Sequence, residues 1–410
     1  MERVLKAILK RFVGKGQLGV TWPDGSTSVF AGEGGPVDSM AITDQATIRR
    51  LVLDPSLAFG ECYMSGTVQP VGCSIYDVLD VLTANMETTA GAHPVLQLHQ
   101  LLGRYARVLA QFNPAGRARR NVAHHYDLNG RLYSLFLDRD RQYSCAWFPT
   151  GNESLEEAQA AKKRHIAAKL LLDRPGLSVL DIGSGWGGLA LTLARDYGAN
   201  VLGITLSTEQ LAESRARAAA EGLSDRVTYE LLDYRAVEGT FDRIVSVGMF
   251  EHVGVVHYRA YFDMLKRCLN PGGVALLHTI GRSDGPASTN RWLAKYIFPG
   301  GYSPAMSEVL PPIEKVGLIV TDIEVLRLHY AQTLRHWRRR FAANRDAITA
   351  LYDERFCRMF EFYLAGSELA FRRQGHVNFQ IQLVRDQTAA PLTRDYIAEN
   401  ERKVPARQDA

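Results

Sequence analysis

The residues with the clearest chemical potential form the glycine-rich run VLDIGSGWGG, from Val179 to Gly188. Glycines at 183, 185 and 187 let the backbone approach a ligand closely in a loop that leaves a strand and enters a helix. Dehydrogenases contain closely related glycine runs, so this spacing alone does not identify the ligand. It predicts a nucleotide-type cofactor beside the loop, against the plainer alternative that the glycines only shape a tight turn.

Two further features favour S-adenosylmethionine as that cofactor. Asp181 stands within the strand, two residues before the first glycine, as in the first motif of class I methyltransferases. The segment LLDY, from Leu231 to Tyr234, ends a later strand with an acid for the adenine amino group and an aromatic ring for the adenine face. The second strand ends ITLS where an acid usually holds the ribose, so we expect Thr205 and Gln210 to supply those hydrogen bonds.

Side chains suited to acid-base chemistry stand at other strand ends. Glu251 follows the apolar run VSVGMF, and His278 follows VALL. Strand ends in a doubly wound sheet face the ligand crevice, so both side chains should point toward a transferred methyl group. Cys145, in QYSCAWF, precedes the glycine loop. Taken singly, each has a plainer interpretation: a small buried thiol, a surface pair of Glu251 with His252, and a core histidine bonded to backbone.

Composition limits the classes of protein to which this chain can belong. Its 410 residues exceed one typical domain, and 46% hydrophobic with 22% charged residues is ordinary globular composition. No apolar run is long enough to span a bilayer. Lys6, Lys10 and Arg11 interrupt the opening segment, which leaves no room for a signal-peptide centre. The five cysteines include no CxxC pair, so we expect neither disulfides nor zinc, and a cytoplasmic location.

From Val179 onward, predicted strands alternate with helices, which indicates βαβ units and a parallel sheet. We expect a class I S-adenosylmethionine-dependent methyltransferase (Rossmann-like) α/β domain over residues 122–390. A helix is expected to stop at Pro271 and Gly272. Beyond Thr321 the chain is expected to be helical through Gly366, and NFQIQLVR to form an edge strand. After Asp386 we expect a loose polar tail, which includes residues 391–410. The five other predicted strands are LSVLDIG, ANVLGITLS, RVTYELLD, FDRIVSVG and GGVALLHTI.

Residues 1–93 are expected to form a small α+β domain, followed by a helical linker over 94–121. Leu5, Ile8, Leu9 and Phe12 have the spacing of an amphipathic helix, with basic residues between them. This helix could lie on a membrane or dock on its own domain. LGVTW and TSVFAG read as two strands joined by the turn PDGS.

Basic residues are concentrated in two stretches without acids, residues 104–121 and 335–345, although the net charge is only +4. Such clusters suit partners with phosphate groups, either nucleic acid or anionic lipid. A solvated helix face is an equally good interpretation of each cluster. The first cluster consists of Arg104, Arg107, Arg117, Arg119 and Arg120, and the second of Arg335, Arg338, Arg339, Arg340 and Arg345.

Long motifs in a fixed order resemble the cyclopropane-fatty-acyl-phospholipid synthase family and its mycolic acid relatives. The resemblance covers nearly the whole chain and is close from His124 to about Arg385. The first 93 residues resemble the small lipid-binding domain of the phospholipid-acting members, and the catalytic domain should contain a helical lipid-binding insertion. The motifs are HHYDLN, YSCAWF, LDIGSGWGG, FDRIVSVGMFEHVG, LLHTIG and KYIFPGG.

The resemblance implies a reaction as well as a fold. In this family, the alkene of a phospholipid acyl chain attacks the methyl group of S-adenosylmethionine, and a bound bicarbonate deprotonates the resulting carbocation so that a cyclopropane ring closes. The implied catalytic residues are Cys145, Glu251, His278, Tyr330 and the backbone of Ile280. The implied cofactor-binding residues are Tyr143, Ser144, Asp181, Gly183, Ser184, Gly185, Gly187, Thr205, Leu206, Ser207, Gln210, Asp233, Tyr234 and Arg235.

Other outcomes stay open at this stage. A related enzyme could give a methyl-branched, methylene or hydroxylated chain from the same cation. An RNA or small-molecule methyltransferase would use the arginine clusters on phosphates, but base-stacking aromatics and known RNA-binding modules are missing, so we expect no nucleic-acid partner. The expected partners are an unsaturated phospholipid, an anionic membrane surface and a second copy of the chain. The expected location is the cytoplasm, peripherally on the inner face of the cell membrane, with no metal in the site.

Overall fold

The computed structural model describes residues 1–86 and 130–403. Contacts between Cα atoms divide the chain into two compact units, each assembled from three separate stretches. The predicted linker 94–121, the segment HHYDLN and the first arginine cluster lie outside the described residues, and the domain boundary at residue 93 stays a prediction. The first unit is Met1–Ala110, Ala287–Pro299 and Leu334–Gly375, and the second is Gln111–Pro286, Gly300–Thr333 and His376–Ala410.

The helices and strands are numbered here in chain order over the described residues. Up to residue 86 they are α1 (Glu2–Phe12), β1 (Lys15–Thr21), β2 (Thr27–Ala31), β3 (Glu33–Ile42), α2 (Gln45–Leu53), α3 (Pro55–Met64), β4 (Val68–Val71) and α4 (Ile75–Met86). From residue 130 they are α5 (Gly130–Phe136), α6 (Leu155–Lys169), β5 (Ser178–Ile182), α7 (Gly188–Tyr197), β6 (Asn200–Thr205), α8 (Thr208–Ala220), β7 (Val227–Leu231), β8 (Phe241–Val247), α9 (Tyr258–Cys268), β9 (Leu269–Arg282), α10 (Arg291–Tyr296), α11 (Met306–Val316), β10 (Ile319–Leu326), α12 (His329–Ala343), α13 (Arg345–Leu351), α14 (Glu354–Arg373), β11 (His376–Val384) and α15 (Asp395–Lys403).

A four-stranded sheet of order β2-β1-β3-β4 forms the centre of the first unit. The predicted hairpin is present, with Leu18 of β1 opposite Phe30 of β2. Helix α1 packs its apolar side against this unit, since Leu5 and Leu9 are buried in the same core as Leu18. Of the two interpretations of the amphipathic segment, docking on its own domain is therefore the one that the structure favours.

The first unit also includes helices from two later stretches of chain. A Cβ at Gly60 would lie 2.5 Å from Nε1 of Trp292, so α3 and α10 pack closely at this glycine. The Tyr63 hydroxyl donates to Glu361 of α14 at 2.9 Å. Helices α10 and α14 are thus part of the core of the unit that begins at the amino terminus.

A seven-stranded sheet of order β10-β11-β9-β8-β5-β6-β7 forms the second unit. Strands β5 to β9 pair in parallel, and β11 runs antiparallel to both of its neighbours, β9 and β10. Apolar residues cover both faces: Leu180, Ile244 and Leu277 lie in one core, and Val179 and Val245 in another on the opposite side. The predicted Rossmann-like α/β class is confirmed, because parallel strands buried on both faces require helices on both sides.

Several sequence-based boundaries were wrong. Residues 322–326, expected to be helical, belong to strand β10 (Ile319–Leu326), and β11 is therefore an interior strand rather than an edge strand. Helix α9 ends at Cys268, and Pro271 and Gly272 lie within β9. The expected loose tail contains helix α15, whose Ile397 is buried. No helix among the described residues combines the length and apolar character needed to cross a bilayer.

Candidate active site

The glycine-rich loop joins β5 to α7 in a left-handed backbone conformation. Gly183, Gly185 and Gly187 have φ angles of 81°, 55° and 85°, which favour glycine strongly. A Cβ at Gly183 would lie 2.9 Å from Cβ of Met249, and one at Gly187 would lie 2.6 Å from the Tyr229 hydroxyl. A Cβ at Gly185 would meet no atom within 4 Å. Gly185 therefore opens onto free space, whereas Gly183 and Gly187 are needed for close packing.

A cleft beside this loop, at the carboxyl ends of the parallel strands, contains twelve of the fourteen predicted cofactor-binding residues. The two exceptions are Gly187, which packs against Tyr229, and Ser207, whose hydroxyl caps α8 by accepting from the Gln210 N–H at 3.3 Å. Both support the site from outside the cleft. The lining residues are Arg141, Gln142, Tyr143, Ser144, Asp181, Ile182, Gly183, Ser184, Gly185, Trp186, Leu189, Ile204, Thr205, Leu206, Gln210, Leu232, Asp233, Tyr234, Arg235, Val247, Gly248, Met249 and His252.

Two carboxylates in the cleft each keep one oxygen available. Asp181 is 2% exposed, and its Oδ2 has no partner within the described part of the chain. Burial raises the pKa of Asp181 to about 7. Asp233 accepts from the backbone N–H and Nε of Arg235 through Oδ1, at 3.0 and 2.9 Å, while its Oδ2 is buried without a partner. Buried acceptors without donors are costly, so a ligand with amino groups fits both positions.

The side of the cleft expected to bind ribose contains a linked pair of side chains. The Thr205 hydroxyl donates to Oε1 of Gln210 at 2.8 Å, and it accepts from the backbone N–H of Ser207 at 3.2 Å. Because Oε1 of Gln210 is an acceptor in this pair, the amide nitrogen of the same side chain is oriented away from it and can donate to a hydroxyl group. Gln210 is therefore the better candidate for a direct ribose contact, with Thr205 as its support.

Residues 142–146 are held by two helices. Gln159 of α6 donates to the backbone oxygen of Ser144 at 3.0 Å. Lys162 of the same helix donates to Oγ of Ser144 at 2.9 Å and to Oε1 of Gln142 at 2.8 Å. The ring of Tyr143 packs edge-on against Tyr133, with centroids 5.3 Å apart. These contacts fix the wall of the cleft that the YSC motif supplies.

Lys162 was not identified from the sequence, yet it is fully buried and close to several site residues. Burial lowers the pKa of its ammonium group to about 8. Its charge interacts with Asp181, Cys145 and His278. In the sequence, Lys162 is an ordinary lysine of the segment that forms α6. Only the residues that it contacts in the folded protein distinguish it from other lysines.

Glu251 lies in a single 3₁₀ turn, Phe250–His252, directly after β8. Its Oε1 accepts from the backbone N–H of Ile280 at 2.7 Å, and Oε2 is buried without a partner among the described residues. The Glu251 carbonyl accepts from the Tyr302 N–H at 2.9 Å. Burial raises the pKa of this carboxyl to about 7, which suits a group that exchanges protons near neutral pH. Ile280 therefore contributes by orienting Glu251.

His278 is 1% exposed on β9, two residues before Ile280. The Gly248 N–H donates to its carbonyl oxygen at 2.9 Å, which joins the ends of β8 and β9. Its Nδ1 lies 3.0 Å from Nε2 of Gln380, and its Nε2 has no partner in residues 1–86 or 130–403. Burial, reinforced by the charge of Lys162, lowers the pKa of His278 well below its usual value, so the imidazole is neutral.

Cys145 and Tyr330 lie on segments that hydrogen bonds hold together. Ala146, the residue after Cys145, donates its N–H to the Thr333 hydroxyl at 3.0 Å, and Phe148 donates to Nδ1 of His329 at 3.0 Å. Tyr330 is buried, and it stands between His329 and Thr333 in the sequence of α12. Burial raises the pKa of the Cys145 thiol, which makes it a weak donor rather than a thiolate. No hydrogen bond joins Glu251 to Cys145 or His278 within the described part of the chain.

The chemistry of this cleft fits S-adenosylmethionine. The open oxygens of Asp181 and Asp233 suit the amino groups of the methionine and adenine parts, and Gln210 suits a ribose hydroxyl. The open space at Gly185 allows close approach of the ligand to the loop. Arg141, Trp186 and Met249 also line the cleft but lay outside the sequence prediction. Trp186 could have been suspected because it stands inside the glycine run.

Comparison with known proteins places the chain in a family. Residues 114–381 match the family model for mycolic acid cyclopropane synthetase, and residues 4–93 match a domain of unknown function (DUF7884). The cyclopropane-fatty-acyl-phospholipid synthase of Escherichia coli K12 is 39% identical over 341 residues, 82% of this chain and 85% of that protein. The tuberculostearic acid methyltransferase UfaA1 of Mycobacterium tuberculosis is 38% identical over 364 residues, 83% and 82% of the two chains.

A solved structure supports the same relationship. The mycolic acid cyclopropane synthase CmaA1, in complex with SAH and CTAB, superposes with a TM-score of 0.62 at 32% identity, and the alignment covers 67% of this chain and 99% of that one. The family-model match covers more than half of the chain, and it includes the glycine loop, Glu251 and His278. This chain belongs to the mycolic acid cyclopropane synthetase family.

Proposed function

We propose that this protein transfers a methylene unit from S-adenosylmethionine to the cis double bond of an unsaturated phospholipid acyl chain and so forms a cyclopropane fatty acid. The observation that carries the proposal is Glu251: a buried carboxylate, fixed through one oxygen and open at the other, one residue from the His252 that lines the cofactor cleft. Similarity to the Escherichia coli synthase along 82% of the chain supports the choice of substrate class.

When bound, S-adenosylmethionine supplies an electrophilic methyl group on a sulfonium. The alkene π electrons form the new carbon–carbon bond to that methyl as its carbon–sulfur bond breaks, and a carbocation remains on the acyl chain. Loss of a proton from the new methyl provides the electron pair that closes the ring. The Glu251 carboxyl, with a pKa near 7, accepts this proton directly or through a bound oxyanion. Exclusion of water by the buried surroundings prevents capture of the cation.

We further propose bicarbonate as that oxyanion. The open Nε2 of His278, the open Oε2 of Glu251 and the protonated thiol of Cys145 are groups that suit a small acid-base anion. Tyr330, on the helix tied to the Cys145 segment, would complete the set. The N–H of Ile280 is already used by Glu251, so the Ile280 backbone would assist by orienting that carboxyl.

Mass and NMR spectra of the lipid product test the reaction. Purified protein, S-adenosylmethionine and vesicles of cis-unsaturated phospholipid should yield acyl chains heavier by one CH₂ unit, with cyclopropane methylene protons upfield of all other lipid signals. Vesicles of fully saturated phospholipid are the matched control and should yield none. If cofactor binding is normal by calorimetry and no heavier chain forms, the proposed function is wrong.

A second candidate is a fatty-acid methyltransferase that gives a methyl-branched or methylene chain. This candidate is worth testing because the relative UfaA1, which is 38% identical, is named a tuberculostearic acid methyltransferase. Both candidates add one carbon atom, so mass alone does not separate them where the product is a methylene chain. Vinylic or branched-methyl proton signals in place of upfield cyclopropane signals would identify this alternative.

We propose peripheral contact with the inner, anionic face of the cytoplasmic membrane. The solvent side of α1 presents Arg3, Lys10 and Arg11, which are exposed while the apolar side of the helix is buried in its own unit. In the second arginine cluster, Arg338 and Arg345 are engaged with Glu368 and Glu361 at 3.0 and 2.7 Å, so this cluster is only partly available for phosphates.

Vesicle co-sedimentation tests this contact. Each basic residue near an anionic surface contributes about 1 kcal/mol, so a triple Arg3→Gln, Lys10→Gln, Arg11→Gln variant should bind phosphatidylserine-containing vesicles far more weakly. High salt should release the unmodified protein. Binding that ignores both salt and lipid charge would contradict the proposal, and a salt-sensitive complex with RNA would revive a nucleic-acid partner. We also propose a homodimer, on the resemblance alone, to be tested by analytical ultracentrifugation.

A further inference from the structure

Strand β11 has an unusual polar face. Asn378, Gln380 and Gln382 are at most 1% exposed, and they alternate with Phe379 and Ile381, which pack in the apolar core on the other side of the sheet. Burial of an amide side chain is costly unless hydrogen bonds replace those to water. Three consecutive amides on a buried face therefore point to a requirement other than packing.

Gln380 lies between two groups capable of acid-base chemistry. In the sheet it is directly opposite His278 of β9 on one side and Glu324 of β10 on the other. Directly paired residues in antiparallel strands point to the same face. The Gln380 amide nitrogen lies 3.0 Å from Nδ1 of His278. Gln380 thus separates the candidate active-site histidine from a carboxylate behind it.

The carboxylate behind Gln380 is held in an ionic cluster. Oε2 of Glu324 lies 2.7 Å from Nε2 of His165 and 2.5 Å from Nζ of Lys169. Nδ1 of His165 contacts Glu401 of α15, and the ring of Trp147 stacks on His165 with centroids 4.2 Å apart. These partners lower the pKa of Glu324 and keep it ionised. Oε2 of Glu324 is therefore already bonded to two donors, and no hydrogen bond joins Glu324 to Gln380 among the described residues.

The tautomer of His278 follows from these contacts. A glutamine whose N–H group faces Nδ1 donates to that nitrogen, so Nδ1 must be unprotonated and the ring proton must lie on Nε2. Nε2 is the nitrogen that has no partner among the described residues. A ring in this state presents a donor to whatever occupies the site, which is the role that an oxyanion requires.

We propose that Gln380 is a positioning residue that holds His278 as the neutral Nε2–H tautomer, so that the free side of the ring donates a hydrogen bond to an oxyanion in the active site. This inference rests on the proposed function for its catalytic consequence. The chemical class of the ligand at Nε2 is a small oxyanion, and the one hydrogen bond of the Gln380 side chain among the described residues is the one to Nδ1 of the ring.

The variant Gln380→Glu tests the proposal because a carboxylate accepts where the amide donates. The ring should then carry its proton on Nδ1, and Nε2 should become an acceptor. The kcat for lipid modification should fall about 10- to 100-fold, taking as a guide the range found when the hydrogen-bond partner of a metal-ligating histidine is removed. The KM for S-adenosylmethionine should stay within about twofold, because Gln380 is not among the residues that line the cofactor cleft.

Gln382→Glu is the matched control, since it adds the same charge two residues away on the same buried face of β11. It should leave the His278 tautomer and kcat unchanged. Gln380→Leu is the second variant if Gln380→Glu does not fold; it removes the donor without adding charge, and Nδ1 should then titrate as in a histidine without a partner. Melting temperatures of all three report the purely structural cost.

The direct readout is the ¹⁵N spectrum of histidine-labelled protein without cofactor or substrate. The chain has 11 histidines, and a His278→Asn variant assigns the relevant pair of signals. Unmodified protein should show Nε2 protonated and Nδ1 bare. Nδ1 protonated in the unmodified protein, or an unchanged tautomer and kcat in Gln380→Glu, would overturn the inference. This spectrum can be recorded without turnover. If it shows the expected tautomer but the enzyme forms no lipid product, the proposed function is wrong and the inference about Gln380 and the His278 tautomer still stands.

Discussion

Replacement of Glu251 by glutamine should raise stability and lower activity at the same time. The amide oxygen of glutamine can accept the Ile280 N–H in place of Oε1, which now does so at 2.7 Å. The substitution therefore keeps the shape and the one hydrogen bond, removes the ability to ionise, and places an amide nitrogen where Oε2 now stands. The two effects arise from the same buried carboxyl and have opposite signs.

The effect on stability follows from the pKa. Burial raises the pKa of Glu251 from 4.5 to about 7, which corresponds to roughly 3 kcal/mol, since each tenfold change in the ionisation constant is worth about 1.36 kcal/mol. Between these two values the folded protein binds the proton and the unfolded chain does not. The free energy of unfolding therefore falls as pH rises from about 4.5 to 7. The glutamine variant lacks this loss and should be more stable above pH 7 by up to about 3 kcal/mol.

The effect on turnover follows from the proposed chemistry. Removal of a proton acceptor typically lowers the rate by about 10²- to 10⁴-fold, so kcat should fall by that amount. In the unmodified enzyme, kcat should rise with pH through about 7 as Glu251 ionises, and the variant should lack this acid limb. Binding of S-adenosylmethionine should be unchanged, because Glu251 itself does not line the cleft.

Melting temperatures at about pH 5 and about pH 8, together with lipid-product rates, check both parts. The difference in melting temperature between variant and unmodified protein should grow with pH. Glu314→Gln, at an exposed position on α11, is the matched control and should change neither quantity. A melting difference independent of pH would refute the electrostatic reasoning, and unchanged kcat would remove Glu251 from the mechanism.

Three further predictions concern the cofactor cleft. Asp233→Asn should weaken binding of S-adenosylhomocysteine about tenfold, roughly 1.4 kcal/mol, because the buried Oδ2 of Asp233 is the open acceptor. Calorimetry measures this affinity, and equal affinity in the variant would exclude Asp233 as a contact of the ligand. Gly187→Ala should lower the free energy of unfolding by about 1–3 kcal/mol, because φ is 85° and the Tyr229 hydroxyl would lie 2.6 Å from Cβ; Gly222→Ala, also at positive φ but with no atom within 4 Å, should cost less in a denaturant titration. Lys162→Met should raise the KM for S-adenosylmethionine about tenfold or more, since Ser144 loses a charged donor at 2.9 Å; a fall in kcat with unchanged KM would show that Lys162 acts on the reaction centre instead.

The sequence was sufficient where local signals agree with the fold. Strands β5 to β9 and the helices between them were predicted because apolar runs, glycine loops and caps coincide. Serine is a favoured residue at helix N-caps, and Ser207 caps α8. The twelve cleft residues followed from motifs at strand ends, which topology brings to one edge of the sheet.

Strand β10 was missed because its buried face contains a polar residue and its exposed face contains apolar ones. Asp322 is buried at 7% exposure, beside Lys169, whereas Ile323 and Val325 on the other face are 37% and 43% exposed. Periodicity methods assume that the apolar face is the buried one, so this strand gives the wrong signal. The assignment of β11 as an edge strand was wrong for the same reason, since its outer neighbour was not recognised.

Gln380 and Lys162 could not be found from the sequence. Each depends on partners more than 15 residues away: His278 is 102 residues before Gln380, and Ser144 is 18 before Lys162. A single glutamine in a strand or lysine in a helix has no distinctive pattern. Only the register of β9, β11 and β10 makes the function of Gln380 visible.

The interior position of β11 has a consequence for synthesis of the protein. Among the described strands this one is synthesised last, yet it lies between β9 and β10, which are made earlier. Until it emerges, β9 presents a row of unpaired backbone groups next to Val274, Leu276 and Leu277, a surface that recruits other chains. A nascent chain stalled before residue 376 should therefore be prone to aggregation and depend on chaperones that shield open sheet edges.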